Sequence, residues 1–244
     1  MHELSYLIFL LILILSIFQT IAGVGILVLG TPFFIGYGFD IVEIMMFLLP
    51  LSIFNSTVNL VYLYKKKKIS IDVNMGKYFF FICLPSVFVG LFFLKRFINY
   101  INFNLLICIV IWLVLIFSYL NNKKKFSESF KKIIIFIAGL LHGVTNSGGS
   151  LLSILIVKSY DQEVNFRRFQ IIFFYFFLAT FQFVSIVFIF KYNYLNITHY
   201  YYFFSTFIGV IFGNYIADKI NNAQLSNFIK LLAFISSIIL LTKS

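Results

Sequence analysis

Gly139-Leu-Leu-His-Gly143-Val-Thr-Asn-Ser-Gly148-Gly-Ser150 lies inside an uncharged run over 133–157, long enough to cross a bilayer. A helix in lipid must satisfy its backbone groups internally, and glycine is a poor helix former. Four glycines beside Thr145, Asn146 and Ser147 therefore need a physical reason. One is a break in the helix whose freed N–H and C=O groups line a polar cavity and hold a solute. The other is close helix packing through Gly139, Gly143 and Gly148. Packing alone does not require His142, Thr145, Asn146 and Ser147 at one depth, and intramembrane polar groups tend to be functional.

The composition sets the solvent. Of 244 residues, 61% are hydrophobic and 11% charged. Soluble domains carry about 25% charged residues, so the chain reads as an integral membrane protein. Its net charge of +11 is gathered in gaps between apolar runs, as at Lys65, Lys66, Lys67 and Lys68, or Lys123, Lys124 and Lys125. That distribution fits loops facing an anionic cytoplasmic leaflet and argues against nucleic acid as a partner. Cys83 and Cys108 share no CxxC spacing, and His2, His142 and His199 no ligand spacing. With neither paired acids nor a nucleophile–base set, no enzyme and no cofactor is indicated.

An all-α, polytopic membrane fold is expected. Eight apolar segments fall at about 4–29, 44–64, 78–94, 103–120, 133–157, 169–190, 200–217 and 224–242. From Leu4 to Phe39 no charge appears, which as straight helix is about 54 Å against a hydrocarbon core of about 30 Å. The first segment must break or tilt, and Gly23-Val-Gly25 and Gly30-Thr31-Pro32 are the candidate breaks. The first and fifth helices are thus both expected to be interrupted. Counting alternate loops, Lys65 to Lys68, Lys77, Lys123 to Lys125, Lys131, Lys132, Lys191 and Lys243 fall on one side, with both termini; Lys95, Arg96, Lys158, Arg167, Arg168 and Lys219 fall on the other. The richer side is expected to be cytoplasmic.

The halves resemble each other at an offset near 123. Phe88-Val-Gly90-Leu-Phe-Phe-Leu-Lys-Arg96 aligns with Ile211-Phe-Gly213-Asn-Tyr-Ile-Ala-Asp-Lys219, and Asn104 falls opposite Asn227. Gly23-Val-Gly25 corresponds to the 143–149 stretch, and Asp40 and Glu43 to Asp161 and Glu163. Two four-helix repeats follow, 1–122 and 130–244, joined by a basic loop at 123–129. Four simple spans each make the halves parallel; inverted halves require the interrupted segments to fold back.

Gln19-Thr-Ile-Ala-Gly23-Val-Gly25-Ile-Leu-Val-Leu-Gly-Thr31-Pro32 resembles the first-half signature of the TauE/SafE sulfite exporter-like permeases. The 139–149 stretch is similar to its second-half counterpart, although Ile26 and Leu27 replace a further glycine and Ser150 a proline. The resemblance implies a multi-pass bacterial plasma-membrane protein that moves sulfite, sulfonates or related organic anions. The expected site for a small anionic solute comprises Gln19, Gly23, Gly25, Thr31, Asn55, His142, Thr145, Asn146, Ser147, Gly148 and Gly149. His142 either carries a proton or bonds a neighbouring helix, and Ser56 and Gln182 are lesser pocket candidates. The rival reading is a membrane scaffold or assembly subunit that transports nothing.

Overall fold

The computed structural model describes residues 2–67, 70–100, 102, 105–106, 108–109, 112, 116, 126–160, 162–191 and 200–241. The expected fourth segment, Lys123 to Lys125, Asn104, Asp161 and His199 lie largely or wholly outside them. Among the described residues the secondary structure is helical: α1 His2–Ala22, α2 Ile26–Gly36, α3 Ile41–Lys67, α4 Val73–Phe97, α5 Glu128–Thr145, α6 Gly148–Ser159, α7 Val164–Phe190, α8 Tyr200–Ala217 and α9 Asn222–Leu241. Ile41–Lys66, Val73–Phe97 and Val164–Phe190 are each long and apolar enough to span a bilayer. The expected first and fifth segments each divide in two. α2, with 11 residues, and α6, with 12, reach only about 16 and 18 Å, roughly half a hydrocarbon core.

Inside α4, Phe79–Cys83 forms one wide π-type turn just ahead of Pro85. Proline has no N–H to give the carbonyl four residues back, and the widened turn absorbs that mismatch.

Both half-helices double back. In a straight helix Ala138 and Gly148 stand about 15 Å apart. Here a Cβ on Gly148 would meet the Ala138 carbonyl oxygen and the His142 amide, so α6 starts alongside α5. A Cβ on Gly25 would likewise meet the Gln19 amide and the Leu15 carbonyl, so α2 starts alongside α1. Only glycine lets the backbones approach this closely.

Helix directions follow from paired contacts. Ser205 bonds Phe9 and Gly209 lies on Leu13 and Ser16, while Gly213 lies on Thr20; α8 therefore runs parallel to α1. Asn55 bonds Ser16 and Asn59 bonds Thr20, so α3 runs the same way. Gly139 packs on Cys83 and Ser86, and Gly143 on Val87 and Gly90, which makes α5 parallel to α4. Phe79–Phe174 and Lys95–Ile189 add α7 to that group. Met45 meets Gln182 while Leu63 clusters with Phe169, so α3 and α7 run oppositely. Gly139 and Gly143 are thus packing glycines, whereas Gly148 serves the break. The stretch both packs and breaks, at different residues.

The fold-back rearranges the loops. Lys66 Nζ pairs with Asp218 at 2.6 Å, next to Lys219, and Lys158 lies over the Phe126 ring just before α5. The expected separation of Lys158 and Lys219 from Lys66, Lys131 and Lys132 therefore does not hold. Simple alternation assumed full crossings where α6 returns toward the end α5 came from. Lys95, Arg96 and Lys191 mark the other end.

Candidate functional site

Each break turns on a residue in the left-handed region: Gly23 at φ 81° and Asn146 at φ 62°. Such a residue commonly closes a helix by sending its N–H back to an earlier carbonyl. Gly23 N–H donates to Gln19 O at 2.7 Å, and Asn146 N–H to His142 O at 3.0 Å. The backbones match; the side chains around them do not.

The first break is closed on itself. Gln19 Oε1 accepts from the Ile26 N–H at the start of α2, 3.2 Å away, satisfying one of the amides a helix start leaves open. Its Nε2 donates to Ser52 O, Ser52 Oγ and Ser56 Oγ at 3.0, 3.0 and 3.1 Å. Gln19, expected in the pocket, is thus a lock tying α1, α2 and α3 together. Gly25 lets α2 start against α1, and Gly23 lies beneath Ile171. Asn55 bonds α1, donating to Ser16 Oγ at 2.6 Å and Thr20 Oγ1 at 3.3 Å.

The second break is left open. Thr145 Oγ1 accepts from the Ser147 N–H and Ser150 Oγ bonds the Ser147 carbonyl, which fixes the turn. Asn146 Nδ2 donates to Thr31 Oγ1 at 3.0 Å, joining α2 to this break. Asn146 Oδ1, both ring nitrogens of His142, the Tyr175 hydroxyl and Gln182 Oε1 are all buried with no hydrogen-bond partner among the described residues. Buried polar atoms are almost always bonded, so this cluster is able to exchange hydrogen bonds with water or a small solute. The His142 and Tyr175 rings stand 5.9 Å apart, edge to face, and Gln182 Nε2 reaches the His142 carbonyl at 3.0 Å.

Tyr175, on α7, lies where the starts of α2 and α6 meet α3. A Cβ on Gly149, at the start of α6, would run into its ring, and its hydroxyl faces the Leu27 amide at the start of α2 and the hydroxyl of Ser52. Two helix N-termini therefore converge on one phenol, and each brings a partial positive charge. The structure gathers Thr31, His142, Asn146 and Gly149 here, with Thr145, Ser147 and Gly148 shaping the turn. Gln19, Gly23, Gly25 and Asn55 belong to the first break.

Sequence reading missed Tyr175 and Arg168. Tyr175 gave no contrast among the aromatics of Phe173-Phe-Tyr-Phe-Phe177, and Arg168 passed for a loop cation. The available signal was their spacing: Arg168, Tyr175 and Gln182 recur every seven residues and share one face of α7.

No individual curated protein and no solved structure matches the chain. The family model for the sulfite exporter TauE/SafE matches residues 8–240. With that match over nearly its whole length, this multi-pass helical chain belongs to the TauE/SafE sulfite exporter family of membrane transporters.

Proposed function

We propose that the protein is a secondary transporter of a small anion, such as sulfite, a sulfonate or an organic acid, held where α2 and α6 begin. The carrying observation is the set of unpartnered polar atoms on His142, Asn146, Tyr175 and Gln182 around two converging helix starts. Helix N-termini suit anions. The acceptors Asn146 Oδ1 and Gln182 Oε1 suit a solute that also carries an O–H or N–H, as a hydrogen oxyanion does.

Alternating access between two repeats, 1–122 and 130–244, is supported by contacts that recur at an offset of 123. Gly25 lies on Gln19 and Leu15, and Gly148 on His142 and Ala138. Gly209 lies on Ser16, and Gly139 on Ser86; Gly213 lies on Thr20, and Gly143 on Gly90. The partner helices run in opposite senses in the two halves, which favours inverted repeats rocking about a fixed midplane site. By the positive-inside rule the end carrying Lys66, Lys131, Lys132, Lys158 and Lys219 faces the cytoplasm of a bacterial plasma membrane. The starts of α1 and α8 then face outward, the reverse of the expectation from simple alternation. Digestion of a tag ahead of α1 by protease added outside intact cells tests this; a protected tag contradicts it.

Flux into proteoliposomes of sulfite, a sulfonate and a carboxylate, with a cation as control, tests the function. Saturable flux of at least one anion is expected. Folded protein that moves none of them supports the scaffold instead.

A further inference from the structure

Arg168, 0% exposed in the first turns of α7, is a buried cation without a bonded counter-charge among the described residues. Its Nη2 donates to Thr20 O at 2.7 Å and Asn214 Oδ1 at 3.0 Å; Nε and Nη1 have no partner among the described residues. The Thr20 carbonyl is one that the break in α1 strips of its helical donor, so Arg168 caps that end. A helix C-terminus offers only about half a negative charge, and Asn214 only a dipole. The Asp218 carboxylate acts through space, with Oδ2 bonded to Lys66 at 2.6 Å and Tyr62 at 2.8 Å. The remaining neighbours form a neutral chain: Asn214 Nδ2 donates to Asn59 Oδ1, and Asn59 Nδ2 to Thr20 Oγ1. A guanidinium so placed is costly unless an anion completes it.

We propose that Arg168 forms a second anion-binding position, taking a small oxyanion on its unpaired Nε and Nη1 donors. Seven residues of helix put it about 10 Å from Tyr175, toward the lysine-rich end. Binding there is independent of the transport reading; the role as a staging point between Tyr175 and that end rests on it. An anion leaving the helix starts would meet Arg168 before the exposed lysines.

The test follows the unfolding midpoint of the purified full chain in detergent as sulfite or sulfate is titrated. Ionic strength is held constant with a bulky organic anion, and Arg168→Lys, Arg168→Met, Tyr175→Phe and Tyr175→Phe with Arg168→Met are compared. A saturable upward shift is expected in the wild type and, in part, in Tyr175→Phe, disappearing when Arg168→Met is added. Arg168→Lys keeps the charge but loses fork geometry, and its half-saturation concentration rises about tenfold. The proposal is overturned by a wild type without a shift, by Arg168→Lys with unchanged half-saturation, or by Tyr175→Phe without any shift. Arg168→Lys decides the matter if Arg168→Met does not fold. A shift that depends on Arg168 in a protein that moves no anion removes the transport reading and leaves this site standing.

Discussion

The breaks at Gly23 and at Asn146 have the same backbone and opposite chemistry. Each turns on a left-handed residue, returns an N–H to a carbonyl four residues earlier and starts a half-helix against the helix it left. At the first, Gln19 meets Ser52 and Ser56; 123 residues later the corresponding positions are His142, Tyr175 and Ala179. An amide between two hydroxyls closes every bond, whereas an imidazole facing a phenol leaves three polar atoms unmet. The backbone break is common to both, and the side chains decide whether it is a joint or a site.

Removing the central side chain at each break separates the two most strongly. Gln19→Leu strips the Ile26 amide and two serines of their partner, a loss of about 3 kcal/mol visible as a lower unfolding midpoint in detergent. His142→Leu removes a ring that hydrogen-bonds none of the described residues, so the midpoint should hold or rise while anion flux falls at least about tenfold. Equal destabilisation by both changes would erase the distinction.

The paired glycines of the second break sharpen the same contrast. In Gly148→Ala the new methyl meets backbone, the Ala138 carbonyl and the His142 amide, which cannot move aside. That substitution should cost about 3 kcal/mol and lower membrane expression. In Gly149→Ala the methyl meets only the Tyr175 ring, which can swing. About 1 kcal/mol is expected, with flux lost out of proportion to folding. Normal flux in folded Gly149→Ala would show that the Tyr175 position does not matter.

The smallest effect lies at the lysine-rich end, outside both breaks. Burial favours the neutral Asp218 carboxyl, but the bonds from Lys66 and Tyr62 outweigh it and hold the group below its ordinary value of 3.8. A depressed carboxylate contributes stability above its unfolded pKa and loses it as pH falls through the folded value. Both side chains are partly exposed, so Asp218→Asn should cost under about 1 kcal/mol at neutral pH. The difference from wild type should shrink below about pH 4, read from unfolding midpoints against pH.

Helix interruption was legible because glycine and proline in an uncharged run defy the rules of lipid. The fold-back was not: the close approach of Gly148 to Ala138 is a tertiary contact, and nothing local separates a kinked crossing from a reversal. Loop parity failed for that reason. Gln19 and Asn146 looked alike as polar residues beside glycine, and only Ser52, Ser56 and Tyr175, far away in sequence, determine which one is satisfied. Tyr175 itself was hidden by an aromatic-rich composition.

Flux of small anions through proteoliposomes of Tyr175→Phe is the decisive measurement, because the hydroxyl it removes faces the Leu27 amide and Ser52 yet closes no hydrogen bond with the described residues. An unchanged unfolding midpoint with flux down at least about tenfold is expected. Wild-type flux without that oxygen would contradict it.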